Sequence, residues 1–318
     1  HVFKIKKRIA QMVAFIEREQ PDVVVSIDSP GFVLRVVKQL RARGIAKAKF
    51  IHYVAPTVWA YKPERAARFA QLFDHLLVLL PFEPPYFEKV GLPCTFVGHP
   101  VVAETTPGDG AAFRKKYELG EDVPLFCLLP GSRKGEVERH MPIFARAIRL
   151  LAERYPNLAM VVAAPLHVMP FITPYFENCP FRAVITANEE DKKGAFNASQ
   201  MAIVKSGTVA LEVALAGAPM VVTYRVNPIS AWLFRRVSLT KYANLVNIIL
   251  GKEAIPELLQ EWCDAQILAN ASAGLLDNPQ RIQEQKLQCR SAFQQLNPPS
   301  SLMPSEMAAS IVLKTLAS

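Results

Sequence analysis

At 318 residues, about half of them apolar and a fifth charged, the chain is long enough for two domains and too rich in hydrophobic residues for a disordered one. A formal net charge of +9 points to an anionic partner: nucleic acid, lipid or a phosphorylated substrate. The chain has no zinc-finger spacing, RNP-type aromatic motif or long Lys/Arg tract, which sets nucleic acid aside, and no apolar run nears the roughly 18 residues of a membrane-spanning helix.

The five cysteines, Cys94, Cys127, Cys179, Cys263 and Cys289, are odd in number and widely spaced, so reduced thiols in a cytoplasm are expected. No secretory signal pattern is visible. The chain opens on His1, within what already reads as a helix, and is expected to lack a segment on its N-terminal side.

In chain order, that first helix places Val2, Ile5, Ile9, Met12 and Ile16 on one stripe, beside Lys4, Lys6, Lys7 and Arg8. Such a helix either lies on an anionic membrane surface or packs on its own domain with its lysines in water. Strands are expected at 22–28, 49–55, 76–81 and 95–98, then at 125–129, 158–164, 183–186, 202–205 and 220–223. Several are apolar throughout, as for parallel strands covered on both faces. Amphipathic stretches at 32–43, 136–154 and 208–216 complete βαβ units. The polar, Pro- and Gly-containing stretch 104–110 separates two such series. After Asn247 strands are expected to stop, and a Pro/Ser break at 297–304 precedes a last helix. The fold class is therefore α/β: two Rossmann-like doubly wound domains, 1–105 and 106–300, the first incomplete at its N-terminal end, followed by a C-terminal helix, 301–318.

In doubly wound sheets, ligands bind beyond the carboxyl ends of the strands. One strand runs into Pro130-Gly131-Ser132-Arg133, where Gly131 allows close backbone approach and Arg133 is either a bidentate phosphate clamp or a solvated turn residue. Another runs into Ser206-Gly207-Thr208 and opens a helix, so free N–H groups can seat a pyrophosphate; the plainer reading is a helix cap. Glu212, one turn further on, either accepts from ribose hydroxyls or lies on a solvated face. Asp28, at a strand end, is either a general base or the N-cap of the next helix. His52, Trp59 and His99 either shape a sugar or acyl pocket or fill the core. The chain contains no HExxH, carboxylate-rich metal cluster or GxSxG elbow, so metal-free chemistry without a covalent enzyme intermediate is expected, with no cofactor.

Taken together these motifs resemble the lipid-A-disaccharide synthase family of GT-B type inverting glycosyltransferases over essentially the whole chain. The likeness rests on 21–28, 52–60, 96–100 and Leu129-Pro-Gly-Ser-Arg133 with Glu136, then on 206–212, 219–225 and Asn247 with 257–261. The resemblance implies transfer from UDP-2,3-diacylglucosamine to 2,3-diacylglucosamine 1-phosphate, giving a β-1,6 disaccharide and UDP. By position, it gives Asp28 the role of general base. It puts Arg133, Ser206, Gly207, Thr208, Glu212, Asn247 and Glu261 on the donor side. It implies work at the cytoplasmic face of a bacterial inner membrane, as a peripheral protein. The partners expected are the UDP-diacylglucosamine donor, the acylated glucosamine phosphate, an anionic membrane surface and, as one option, a second copy in a homodimer. Three rivals stay open: another GT-B UDP-N-acetylglucosaminyltransferase, a UDP-sugar 2-epimerase and a binding module without catalysis. The chain departs from the family pattern at Gly31 and Val33 and lacks the family's first strand and its Gly-rich turn, so an inactive or unstable chain stays open as one outcome, to be checked by turnover beside a full-length version.

Overall fold

The structure, a computed structural model, describes residues 2–44, 48–103 and 108–317. The chain forms two compact units, one of residues 1–104, 237–239 and 295–318, the other of residues 105–236 and 240–294. Residues 104–107 of the expected linker, and with them the expected 105/106 boundary, lie outside the described residues.

The first unit runs α1 (Val2–Glu19), β1 (Val23–Ile27), α2 (Pro30–Ala42), β2 (Lys49–Tyr53), α3 (Arg65–Ala70), β3 (His75–Val78), α4 (Pro84–Glu88) and β4 (Cys94–Phe96). Its strands pair in parallel in the order β1-β2-β3-β4. Alternation along the strands divides the faces. Phe50, Leu76 and Val78 point to a core shared with α1 and α2, while Ile51 and Leu77 point the other way. On α1 the buried residues are Ile9, Val13 and Ile16, whereas Ile5 and Met12 are exposed. The helix therefore turns a 9/13/16 face to the sheet, and the single stripe expected from the sequence is split between core and solvent.

The second unit continues with α5 (Gly110–Lys116), β5 (Leu125–Leu129), α6 (Lys134–Arg154), β6 (Ala159–Ala163), β7 (Arg182–Thr186) and α7 (Glu189–Ala198). Then come β8 (Met201–Lys205), α8 (Val209–Leu215), β9 (Met220–Tyr224), α9 (Pro228–Val237), α10 (Leu245–Leu250), β10 (Glu257–Leu259), α11 (Ala265–Leu276) and α12 (Pro279–Leu296). A last helix, α13 (Pro304–Ala317), returns to the first unit, where Met307, Ile311 and Val312 pack against Ile51 and Leu77. The second sheet is parallel throughout, in the order β10-β9-β8-β5-β6-β7. Every residue of β5 and β6 is buried, which is why those strands read as unbroken apolar runs. Phe144, Ile148 and Leu151 of α6 and Leu268 of α11 fill one face of this core, each contributing about 1.5–3 kcal/mol by leaving water.

The sequence reading is corrected at β10. Strands do not stop after Asn247: Glu257–Leu259 adds a parallel edge strand beside β9. Its three residues are only half-buried and begin with a carboxylate, so they carry none of the apolar run that marks an interior strand. Among the described residues no helix is long and apolar enough to cross a membrane.

Candidate functional site

From β5 the second sheet grows through β6 to β7 on one side, then returns across β5 to grow through β8, β9 and β10 on the other. Loops leaving β5 and β8 therefore diverge, and a crevice opens at their carboxyl ends. A cavity of about 460 Å³ lies there. Gly131 and Ser132 line it after β5, Pro165 and Leu166 after β6, Asn188 and Glu189 after β7, and Lys205 to Val209 after β8, with Lys192 and Glu212 contributed by α7 and α8.

Gly131 has φ +111, a conformation open to glycine, and a Cβ there would sit 3.0 Å from Oε2 of Glu136. Glu136 is buried in the first turn of α6. Its Oε1 lies 3.1 Å from Lys205 Nζ and 3.2 Å from an Arg133 guanidinium nitrogen. Burial pushes the carboxyl toward its neutral form, but the hydrogen bond and charge of Lys205, joined by Arg133, outweigh it and hold its pKa below the ordinary value.

On the β8 side, the Ser206 N–H donates to Thr223 O at 2.9 Å and its hydroxyl donates to Ala243 O at 3.1 Å. The ladder of α8 begins with Ala210 donating to Gly207 O at 3.2 Å, so the N–H groups of Gly207, Thr208 and Val209 precede it at the cavity. Thr208 occupies the cap position without a side-chain cap bond. Because α8 has only seven residues, its dipole is small, and the charge at this wall comes mainly from side chains. Glu212 Oε2 lies 3.0 Å from Lys192 Nζ, which also reaches Glu189 at 2.5 Å. Desolvation pulls the Lys192 pKa down, but the two carboxylates raise it on balance.

Of the donor-side residues expected, the structure brings Ser206, Gly207, Thr208 and Glu212 together in the cavity wall. Arg133, well exposed, adjoins Ser132 without lining the cavity. Glu261 does not line it; it is exposed and ion-paired with Arg235. Asn247 does not line it either. Fully buried, it accepts from the N–H groups of Ala254 and Ile255 at 2.8 and 2.9 Å and donates at 2.8 Å to Ile255 O and Glu257 Oε1. Glu257 in turn accepts from Ala243 N–H, and Ala243 O accepts from Ser206, so Asn247 acts on the Ser206 turn through two intermediates.

Asp28 lies in the first unit, at the end of β1. Its N–H donates to Tyr53 O at 3.0 Å, and its φ of +51 is followed by +48 at Ser29. Two successive left-handed residues that are not glycine cost about 1–3 kcal/mol each, a strain that clusters at functional sites. Ser29, not Asp28, holds the cap position of α2, which removes the capping alternative for Asp28.

His52, Trp59 and His99 take up structural duties. His52 is buried between Phe69 and Phe73, its Nδ1 2.9 Å from Ser26 Oγ, and burial pulls its pKa down to about 4. Trp59 is buried and donates to Glu83 Oε1 at 3.0 Å, and His99 accepts from Val101 N–H. Lys192, Lys205 and the buried position of Glu136 are the features the sequence reading passed over. Lys205 carried a signal, since a cation ends an otherwise apolar strand. Lys192, inside the polar run Glu189-Glu190-Asp191-Lys192-Lys193, carried none.

The family model for lipid-A-disaccharide synthetase matches residues 1–312. The chain is 48% identical over 280 residues to a lipid-A-disaccharide synthase of Rhodospirillum centenum, covering 88% of this chain and 70% of that one. It is 41% identical over 314 residues to that of Rickettsia prowazekii, covering 98% and 82%. Among solved structures, the S. aureus MnaA–UDP co-structure superposes with a TM-score of 0.69 at 14% identity, over 100% of this chain and 83% of that one, a likeness of fold.

Proposed function

Given that the chain belongs to the lipid-A-disaccharide synthetase family of glycosyltransferases, we propose that it joins UDP-2,3-diacylglucosamine to 2,3-diacylglucosamine 1-phosphate through a β-1,6 link and releases UDP. The observation that carries the donor assignment is the cavity at the β5/β8 divergence, with two glycine turns and lysines in its wall. A structure of similar fold solved together with UDP supports the same choice.

Asp28 accepts the proton of the acceptor's 6-hydroxyl as that oxygen bonds the anomeric carbon. The bond from that carbon to the diphosphate breaks, and its electron pair leaves with UDP. N–H groups around Gly207, with Arg133, stabilise the charge growing on the diphosphate, a role in which fixed donors are worth about 3–4 kcal/mol each. Glu212 accepts from the ribose hydroxyls. Substrates that carry acyl chains suit a reaction at a membrane surface, which the family resemblance puts at the cytoplasmic face of the inner membrane. The exposed Lys4, Lys6, Lys7 and Arg8 of α1, with exposed Phe3 and Phe15, suit an anionic lipid surface there.

Mass spectrometry of products from purified protein given both lipid substrates tests this reading. It expects a disaccharide monophosphate and UDP in equal amounts. An epimerised UDP-sugar with no glycoside would contradict it.

A further inference from the structure

Lys205 ends a strand whose own packing does not call for a cation. Met201 to Val204, the rest of β8, are fully buried, and an apolar residue would finish the strand equally well. Instead the side chain passes over the Tyr224 ring, 4.9 Å from its centre, and brings the ammonium between the two glycine turns. Its Cδ lies 3.4 Å from where a Cβ on Gly131 would be, and its Nζ 4.0 Å from the same point on Gly207. Both turns thus close around this one side chain, which lines the cavity while remaining only 13% exposed.

The charges in and beside the cavity wall differ between its two ends. Near Glu212, one cation, Lys192, sits between two carboxylates, Glu189 and Glu212. Near Gly131, two cations, Lys205 and Arg133, share one oxygen of one carboxylate, Glu136. The first end carries an excess negative charge, suited to hydroxyl donors, and the second an excess positive charge, suited to phosphate. A buried ammonium needs a partner, and Glu136 supplies one.

We propose that Lys205 is a further ligand of a nucleoside diphosphate in this cavity, held beneath the two glycine turns by Glu136 and turned toward the phosphates when they bind. The proposal rests on the reading of the cavity as the donor site. The competing role is structural: Lys205 would only neutralise Glu136, and its loss would loosen both turns for any nucleotide alike.

Calorimetric titration of UDP and UMP separates the two. The wild type binds UDP more tightly than UMP. Lys205→Met weakens UDP by about 10-fold, the scale of one charge-assisted phosphate contact, and UMP by no more than about 2-fold. Lys205→Arg keeps most of the preference. Glu136→Gln, which leaves Lys205 in place and frees it, raises the preference for UDP. The double variant K205M/E136Q, lacking any orphaned carboxylate, shows the same lost preference as K205M. Parallel losses of UDP and UMP in K205M or the double variant, or an unchanged or lower preference in E136Q, would overturn the assignment of Lys205. A wild type that binds neither nucleotide would instead overturn the donor-site reading itself.

Discussion

Lys192 Nζ lies 3.0 Å from Oε2 of Glu212 and 2.5 Å from a carboxylate oxygen of Glu189, so one ammonium ties α7 to the wall formed by α8. The pairing occupies one oxygen of Glu212 and fixes the direction of the other. Glu212→Gln keeps the shape but loses a charged acceptor, so UDP affinity should fall by about 10–150-fold, the scale of a hydrogen bond to a charged group. The preference for UDP over 2′-deoxy-UDP should shrink with it. Competition binding with the two nucleotides checks this, and an unchanged preference would take the ribose away from Glu212.

Asn247 is fully buried with all its polar atoms bonded. Asn247→Ala leaves two N–H groups, a carbonyl and the Glu257 carboxylate short of partners, at a cost of about 2–5 kcal/mol. The expected outcome is a clear fall in Tm of the second unit with at most a small fall in UDP affinity, passed on through Glu257 and Ala243. Loss of UDP binding at unchanged Tm would put Asn247 in contact with the donor.

Two buried groups of the first unit titrate in opposite senses. Burial raises Glu83 to about 7 against the N–H donors Trp59, Leu79 and Leu80. The folded state therefore holds its proton longer than the unfolded one, and stability present below pH 4.5 is lost as pH rises to about 7. Burial lowers His52 to about 4, so its contribution is full above 6.5 and is lost as pH falls toward 4. Each shift is worth about 3 kcal/mol, and between pH 4.5 and 6.5 they oppose one another. Thermal melts across that range should show stability rising with pH in Glu83→Gln, falling in His52→Phe, and changing less in the wild type than in either. A common slope for all three proteins would refute this balance.

How much of this could be read from residues depended on whether a role was local. Leu125–Leu129 and Ala159–Ala163 announced buried parallel strands because both faces are covered, and the glycine turns announced themselves by residue type at strand ends. Glu257–Leu259 did not, because an edge strand of three residues is defined by its neighbour β9 rather than by its own pattern. The same holds in the cavity. Gly131 and Gly207 were legible, whereas the pairing of Lys205 with Glu136 joins residues from β8 and α6 that only the sheet order brings together. The inward face of α1 was misjudged for a related reason: stripes one residue apart are equally apolar, and packing on α2 and the sheet decides between them.

The role of Asp28 is the centre of the account, and one variant measured two ways addresses it. Asp28→Asn removes the proton acceptor while keeping the side chain's size, at a strained position of the first unit. Turnover of the two lipid substrates should fall by about 100-fold or more, the usual worth of a general base, while UDP affinity stays within about 3-fold. Turnover comparable to that of the unsubstituted protein would contradict the account.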